Sequence, residues 1–229
     1  MNKSMHVLSL LLIIFASCSS DDQEENAPLF KEVNINGVIW MDRNMGAKSP
    51  EDFGGYYQWG RPADGHQVIG SETTSTLSSG INPGNGKFIL NTHGESWMEN
   101  PIYDIGKLSN VCPDGWRLPT ASEYEELIPF LEFGEKNGVK GAIYKDFFLP
   151  KTGSRSGDTG KMLIEEDYPL DPVVRNVCTN YQTSSVSIYK GGGSLMTFDF
   201  LLEYEGGYSF RTSTTGVFVE GLPVRCVKK

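Results

Sequence analysis

Cys112-Pro113-Asp114-Gly115-Trp116-Arg117-Leu118-Pro119-Thr120-Ala121-Ser122-Glu123-Tyr124-Glu125-Glu126-Leu127 carries more local specification than any other stretch of this 229-residue chain. Thr120-Ala121-Ser122-Glu123 is a capping box: the Thr120 hydroxyl can accept from the Glu123 amide, and the Glu123 carboxylate can return to the Thr120 N–H. The cap is worth about 1 kcal/mol and fixes a helix start. Tyr124, Leu127, Ile128 and Leu131 then fall at helical spacing and give an apolar face. Pro129 should kink or end the helix, with Gly134 and Gly138 bounding the last turn the pattern allows. One principal helix is expected.

Strands surround it. Val33 to Met41 reads as a hairpin, because Asn36-Gly37 between apolar β-formers supplies the two positive φ angles of a type I′ turn. Lys87-Phe88-Ile89-Leu90 predicts a short strand, and Phe147-Phe148-Leu149-Pro150 another that breaks into a turn at Thr152-Gly153-Ser154-Arg155. Tyr181 to Tyr189 is a third, with glycines 191 to 193 as a turn. Met196, Phe198, Phe200, Leu202 and Tyr204 alternate with Thr197, Asp199, Leu201 and Glu203, which buries one strand face. Strands over Tyr208 to Thr212 and about Val217 to Val227 complete an antiparallel last third.

Two long connections stand out. Residues 62–110 are rich in Gly, Ser, Thr, Asn and Pro with no sustained periodicity, and Trp97 is their expected anchor. His66 and His93 lie here and read as solvated loop residues, since no ligand spacing joins them to Cys178 in a metal site. Residues 156–172 carry Asp158, Glu165, Glu166, Asp167 and Asp171, a charged face without the alternation of a calcium loop. In the aromatic segment Gly54 to Arg61, Tyr56, Tyr57 and Trp59 read as core in preference to a sugar-stacking surface.

The chain opens with an address. Lys3 and His6 precede the apolar run Val7 to Phe15, and Ala16-Ser17 lead into Cys18. This is a secretory signal over residues 1–17, too short to span a bilayer. Phe15-Ala16-Ser17-Cys18 resembles a bacterial lipobox, which makes Cys18 the expected lipidation site. Residues 18–28 form an acidic tether that resembles the export signal of Bacteroidetes surface lipoproteins, so an outer-membrane, cell-surface location is expected. Loss of residues 1–17 removes only Lys3 and leaves 19 basic against 29 acidic residues, about −10. That charge offers no footprint for nucleic acid. Residues 29–229 are expected to fold as one domain.

Cys112, Cys178 and Cys226 remain in the folded part. Three thiols permit three pairings and leave one over. Cys112 with Cys226 is the favoured pair; it would close a loop of over a hundred residues, worth up to about 4 to 5 kcal/mol in the chain-entropy model.

Five motifs carry a resemblance across most of residues 30–229: Val38-Ile39-Trp40-Met41-Asp42-Arg43-Asn44, Tyr57-Gln58-Trp59-Gly60, Cys112 to Thr120, Leu149-Pro150-Lys151-Thr152-Gly153-Ser154-Arg155, and Val224-Arg225-Cys226-Val227. Together they resemble the Fibrobacter succinogenes major paralogous domain, related to the formylglycine-generating branch of the C-type-lectin-like fold. The resemblance implies an α+β fold of irregular antiparallel sheets, one principal helix and long loops, with the Cys112 to Cys226 bond. The family's aromatic-Trp-Ser-Ser pattern is replaced here by Asn180-Tyr181-Gln182-Thr183-Ser184-Ser185. The cysteine-pair context of the formylglycine-generating enzymes and the Glu-Pro-Asn or Trp-Asn-Asp triplets of calcium-dependent lectins are missing, so neither activity is carried over.

The expectation is a non-catalytic surface lipoprotein that presents an adhesive or ligand-binding lectin-like domain, as a minor component of a fimbria or surface complex. Its partners would be a glycan or protein ligand and, through lipid alone, the membrane; no cofactor, metal or catalytic residue is assigned. The alternatives are an enzyme, either a thiol oxidase related to the formylglycine-generating family and using Cys178 or a hydrolase, and a purely structural envelope protein. Nucleophilic catalysis needs a base placed beside an activated group, and neither G-x-S-x-G nor a suitably spaced His is present.

Overall fold

Asn36 and Gly37 take φ values of 50° and 87°, the two positive angles a type I′ turn requires. They fold β1 (Glu32–Ile35) antiparallel onto β2 (Val38–Met41). This computed structural model describes residues 30–164, 180–189, 192–202 and 208–229. The expected leader, Cys18 and the expected tether, Cys178, and the acids Glu165, Glu166, Asp167 and Asp171 lie outside the described residues.

The segment after the hairpin contributes β3 (Tyr57–Gln58) and the parallel pair β4 (Thr73–Thr74) and β5 (Phe88–Ile89). The organising stretch enters the fold as β6 (Trp116–Arg117) and then α1 (Ala121–Leu127). Both bonds of the capping box form: the Thr120 hydroxyl accepts from the Glu123 amide at 3.1 Å, and the Glu123 carboxylate accepts from the Thr120 N–H at 2.7 Å.

Beyond α1 the chain departs from the expected last helical turn. Pro129 lies in a 3-10 turn over Ile128–Phe130, and a meander follows: β7 (Glu132–Lys136), β8 (Val139–Tyr144) and β9 (Phe147–Pro150). Gly134 is paired with Gly141 inside this sheet. Asn137 and Gly138, with φ of 52° and 81°, make a second type I′ turn. A proline has no N–H to continue the helix ladder, and the strong local turn signal then takes over.

The remaining strands are β10 (Ser154–Arg155), β11 (Met162–Leu163), β12 (Asn180–Tyr189), β13 (Gly192–Leu202), β14 (Tyr208–Gly216), β15 (Gly221–Leu222) and β16 (Val227–Lys228). Gly192 and Gly193, expected in a turn, instead pair with Tyr189 and Ile188. The expected continuous strand from Val217 to Val227 is broken. A turn ends at Glu220, Pro223 withholds a ladder donor, and β15 and β16 join different sheets. The sheet orders are β1-β2-β16-β6, β11-β10-β15-β3, β12-β13-β14 and β7-β8-β9, with β4-β5 apart. The architecture is α+β, mostly antiparallel strand with one short α-helix among the described residues.

Helix α1 packs Tyr124 and Leu127 against Trp40, Phe147, Leu149, Tyr181 and Phe198. The Tyr124 and Phe198 rings stack at 4.7 Å between centroids, an offset arrangement that adds to the burial of both. A second cluster surrounds the Cys112–Cys226 disulfide, which joins β16 to the start of the organising stretch.

Polar groups are built into the core beside these clusters. Arg225 is wholly buried and donates to Asn44 Oδ1 (3.0 Å), Met41 O (2.8 Å) and Phe148 O (2.7 Å). Gln58 donates to Ile89 O and Val219 O, both at 2.7 Å, and accepts from Arg61 and the Ile89 N–H. Unpaired, such groups would each cost several kcal/mol on burial, roughly 2 to 7 for an amide; paired, they fix the register of the sheets.

Candidate functional site

The two long connections pack on one another. The Asn91 N–H donates to the Gly157 carbonyl at 3.0 Å, and Gly160 lies so close to β4 that a Cβ there would stand 2.6 Å from the Thr73 methyl. Arg155 anchors this contact. Its buried guanidinium donates to the carbonyls of His66 (3.0 Å), Val68 (3.2 Å) and Ser71 (2.8 Å) and to the Ser71 hydroxyl (2.7 Å). The guanidinium also lies 4.1 Å from the Phe88 ring centroid. Burial pulls its pKa down, so the carbonyl dipoles act as its solvent. Segments 62–110 and 156–164 thereby share one surface.

His66 corrects an expectation. His93 is exposed, but His66 is fully buried. Its Nε2 accepts from the Gln58 N–H at 3.1 Å, which leaves the proton on Nδ1 to be donated to Asp64 Oδ1 at 2.7 Å. Burial first, then the charge of Arg61, pushes its pKa down to about 4. Burial alone would raise the Asp64 carboxyl, but hydrogen bonds from Arg61 and His66 outweigh it and hold it low. Both imidazole nitrogens are engaged, so His66 and Asp64 clamp the loop and the ring has no free nitrogen lone pair.

Tyr56, Tyr57 and Trp59 are core, as expected. The Tyr56 hydroxyl donates to Thr152 O at 2.7 Å and the Trp59 indole to Thr183 O at 2.9 Å. Trp97, the expected anchor, donates to Trp59 O at 2.9 Å.

Where segment 105–110 passes over the organising stretch, a cleft of about 360 Å³ opens. Ile105, Leu108 and Leu118 supply apolar lining, and Arg117, Ser184 and Lys229 polar groups. Arg117 forks onto Glu123 at 2.8 and 2.6 Å. Burial would raise the Glu123 carboxyl, but Arg117 and the Thr120 N–H outweigh it. The residues that start α1 therefore also hold one wall of the cleft.

No family model, curated protein or solved structure matches the chain. Among the described residues no three His, Cys, Asp or Glu gather as a possible metal site, and no helix is long and apolar enough to cross a membrane.

Strand β12 leads from the cleft, at Ser184, towards a hairpin tip that exposes Ile188 and Tyr189. Tyr103, from the first long connection, packs beside this strand with Val186, Leu108 and Phe218. Burial first, then the nearby Glu95 carboxylate and Tyr189, pushes the Tyr103 pKa up. The Tyr189 hydroxyl donates to Glu95 Oε2 at 3.2 Å. The sequence marks Tyr189 only as a strand end. The available signal was an aromatic residue directly before Lys190 and three glycines.

Proposed function

We propose that the chain is a non-catalytic surface lipoprotein, held through lipid on Cys18, whose C-type-lectin-like domain of the Fibrobacter succinogenes major paralogous type binds a glycan or protein ligand. The observation that carries this reading is the mutual packing of segments 62–110 and 156–164. Long connections pinned to a rigid frame by a buried arginine make a preformed recognition surface, at little ordering cost on binding. The family reading is supported by the way its motif residues interlock, Asn44 with Arg225 and Cys112 with Cys226.

The test has two arms. On intact cells the wild-type protein should be accessible to external protease and labelled by radioactive palmitate, and Cys18→Ala should lose the label. Purified full-length protein should bind on a glycan array or a host-matrix panel, more weakly when the exposed tip 79–84 is replaced by a Gly-Ser bridge. Silence in both panels, with an unlabelled protein, would sink the proposal.

A further inference from the structure

We infer that the tip of the β12–β13 hairpin is a stacking subsite for a neutral pyranose sugar, formed by Tyr189, Tyr103 and the Glu95 carboxylate. The inference rests on the ligand-binding reading above and names the ligand class. The end of β12 exposes Ile188 at 64% and Tyr189 at 48%, and the residues facing them across the ladder are Gly193 and Gly192. Bare glycine backbone beside large side chains makes a shelf. A Cβ at Gly192 would stand 3.3 Å from the Tyr189 ring, and one at Gly193 would stand 3.1 Å from the Tyr103 ring. The two rings therefore rest against glycine backbone at positions where any larger residue would crowd them.

The Tyr189 ring is pinned at both ends, by its strand and by the bond from its hydroxyl to Glu95 Oε2. That bond selects the ligand. A phenol O–H donates close to its ring plane, so the carboxylate sits at the rim of the ring and not above its face. An ammonium or guanidinium drawn to the π-cloud would sit over the face, away from Glu95. A pyranose with equatorial hydroxyls has the matching shape: axial C–H groups cover the ring face while hydroxyls radiate outward to the rim. Glu95 Oε2 accepts from the tyrosine hydroxyl, which leaves Oε1 as an acceptor for one of them. The surface also continues. Ser184 at the cleft and Ile188 are four residues apart on one strand, at most roughly 13 Å at 3.3 Å per residue, since the ladder is irregular between Gln182 and Val186. A linear oligosaccharide could thus lie from the tyrosines towards the cleft.

The experiment is calorimetric titration of the full chain with cellohexaose and chitohexaose, and with tetramethylammonium chloride as the cation probe. Binding of at least one oligosaccharide is expected, weakened roughly tenfold or more by Tyr189→Ala. Glu95→Gln should weaken it less, and Tyr189→Phe, which keeps the ring, should retain most of it. Each variant should melt as the wild type does, because the residues replaced are exposed. No binding of either oligosaccharide at millimolar concentration overturns the inference, as does equal binding by Tyr189→Ala or tighter binding of tetramethylammonium. Sugar binding that survives Tyr189→Ala but is lost when 79–84 is replaced overturns this site and leaves the ligand-binding function standing.

Discussion

Asn44 and Arg225 are 181 residues apart in sequence and 3.0 Å apart in the fold, carboxamide oxygen to guanidinium Nε. The contact joins the chain after β2 to the chain before β16, and both side chains are buried. Arg225→Ala would orphan the Met41 and Phe148 carbonyls as well as Asn44. A loss of about 3 to 5 kcal/mol in urea unfolding is expected, with Arg225→Lys intermediate because an ammonium lacks the planar fork. Asn44→Ala should cost less, and a double-mutant cycle should return a coupling of about 1 kcal/mol or more.

Breaking the disulfide should act mainly on the unfolded chain. Cys112 and Cys226 are 114 positions apart, and a loop of that size is worth about 4 to 5 kcal/mol in the chain-entropy model. Cys112→Ser, Cys226→Ser and the double variant should lose similar amounts, because either change alone opens the loop. Urea midpoints with and without reductant measure it.

Acid should loosen the loop that His66 clamps. The folded pKa, about 4, lies below the ordinary 6.5, so the unfolded chain takes up the proton first as pH falls. The stabilising contribution is complete above about pH 6.5 and is lost between there and pH 4, on the order of 3 kcal/mol. His66→Gln keeps an acceptor for the Gln58 N–H but does not titrate. Unfolding free energies at pH 7 and pH 4.5 should fall less for that variant than for the wild type.

Glu220 should have the opposite sign. Burial first, and the charge of Asp158 second, pushes its carboxyl up to about 7 from an ordinary 4.5. The folded state therefore holds the proton longer, and stability is lost as pH rises through that window. Glu220→Gln should raise the melting temperature at pH 8 and leave it nearly unchanged at pH 4.

Legibility followed the range of the interactions. Asn36-Gly37 and Thr120 to Glu123 were readable because each motif satisfies its own backbone within four residues. The Asn137-Gly138 turn carries the same signal, but apolar spacing from Tyr124 to Leu131 extends a helical pattern past Pro129 and hides it. The break of the last strand at Pro223 likewise depends on which sheet each half joins. His66 and Tyr189 lay further out of reach. The burial of one is decided by Asp64, Gln58 and Arg61 closing around it, and the exposure of the other by two glycines on the opposite strand and a carboxylate ninety-four positions away.

The sheet β1-β2-β16-β6 also sets how the molecule bears a mechanical load. A pull applied at Phe30 first reaches β1, an edge strand held by the rungs from Glu32↔Met41 to Ile35↔Val38. Beyond it, β2 is held to β16 through Trp40↔Val227. Once that rung parts, the backbone can feed out as far as Cys112, where the bond to Cys226 is a covalent stop. Under a load taken between Phe30 and the C-terminal strand β16, tension then crosses the sulfurs directly to Cys226, and the residues between the two cysteines bear none of it.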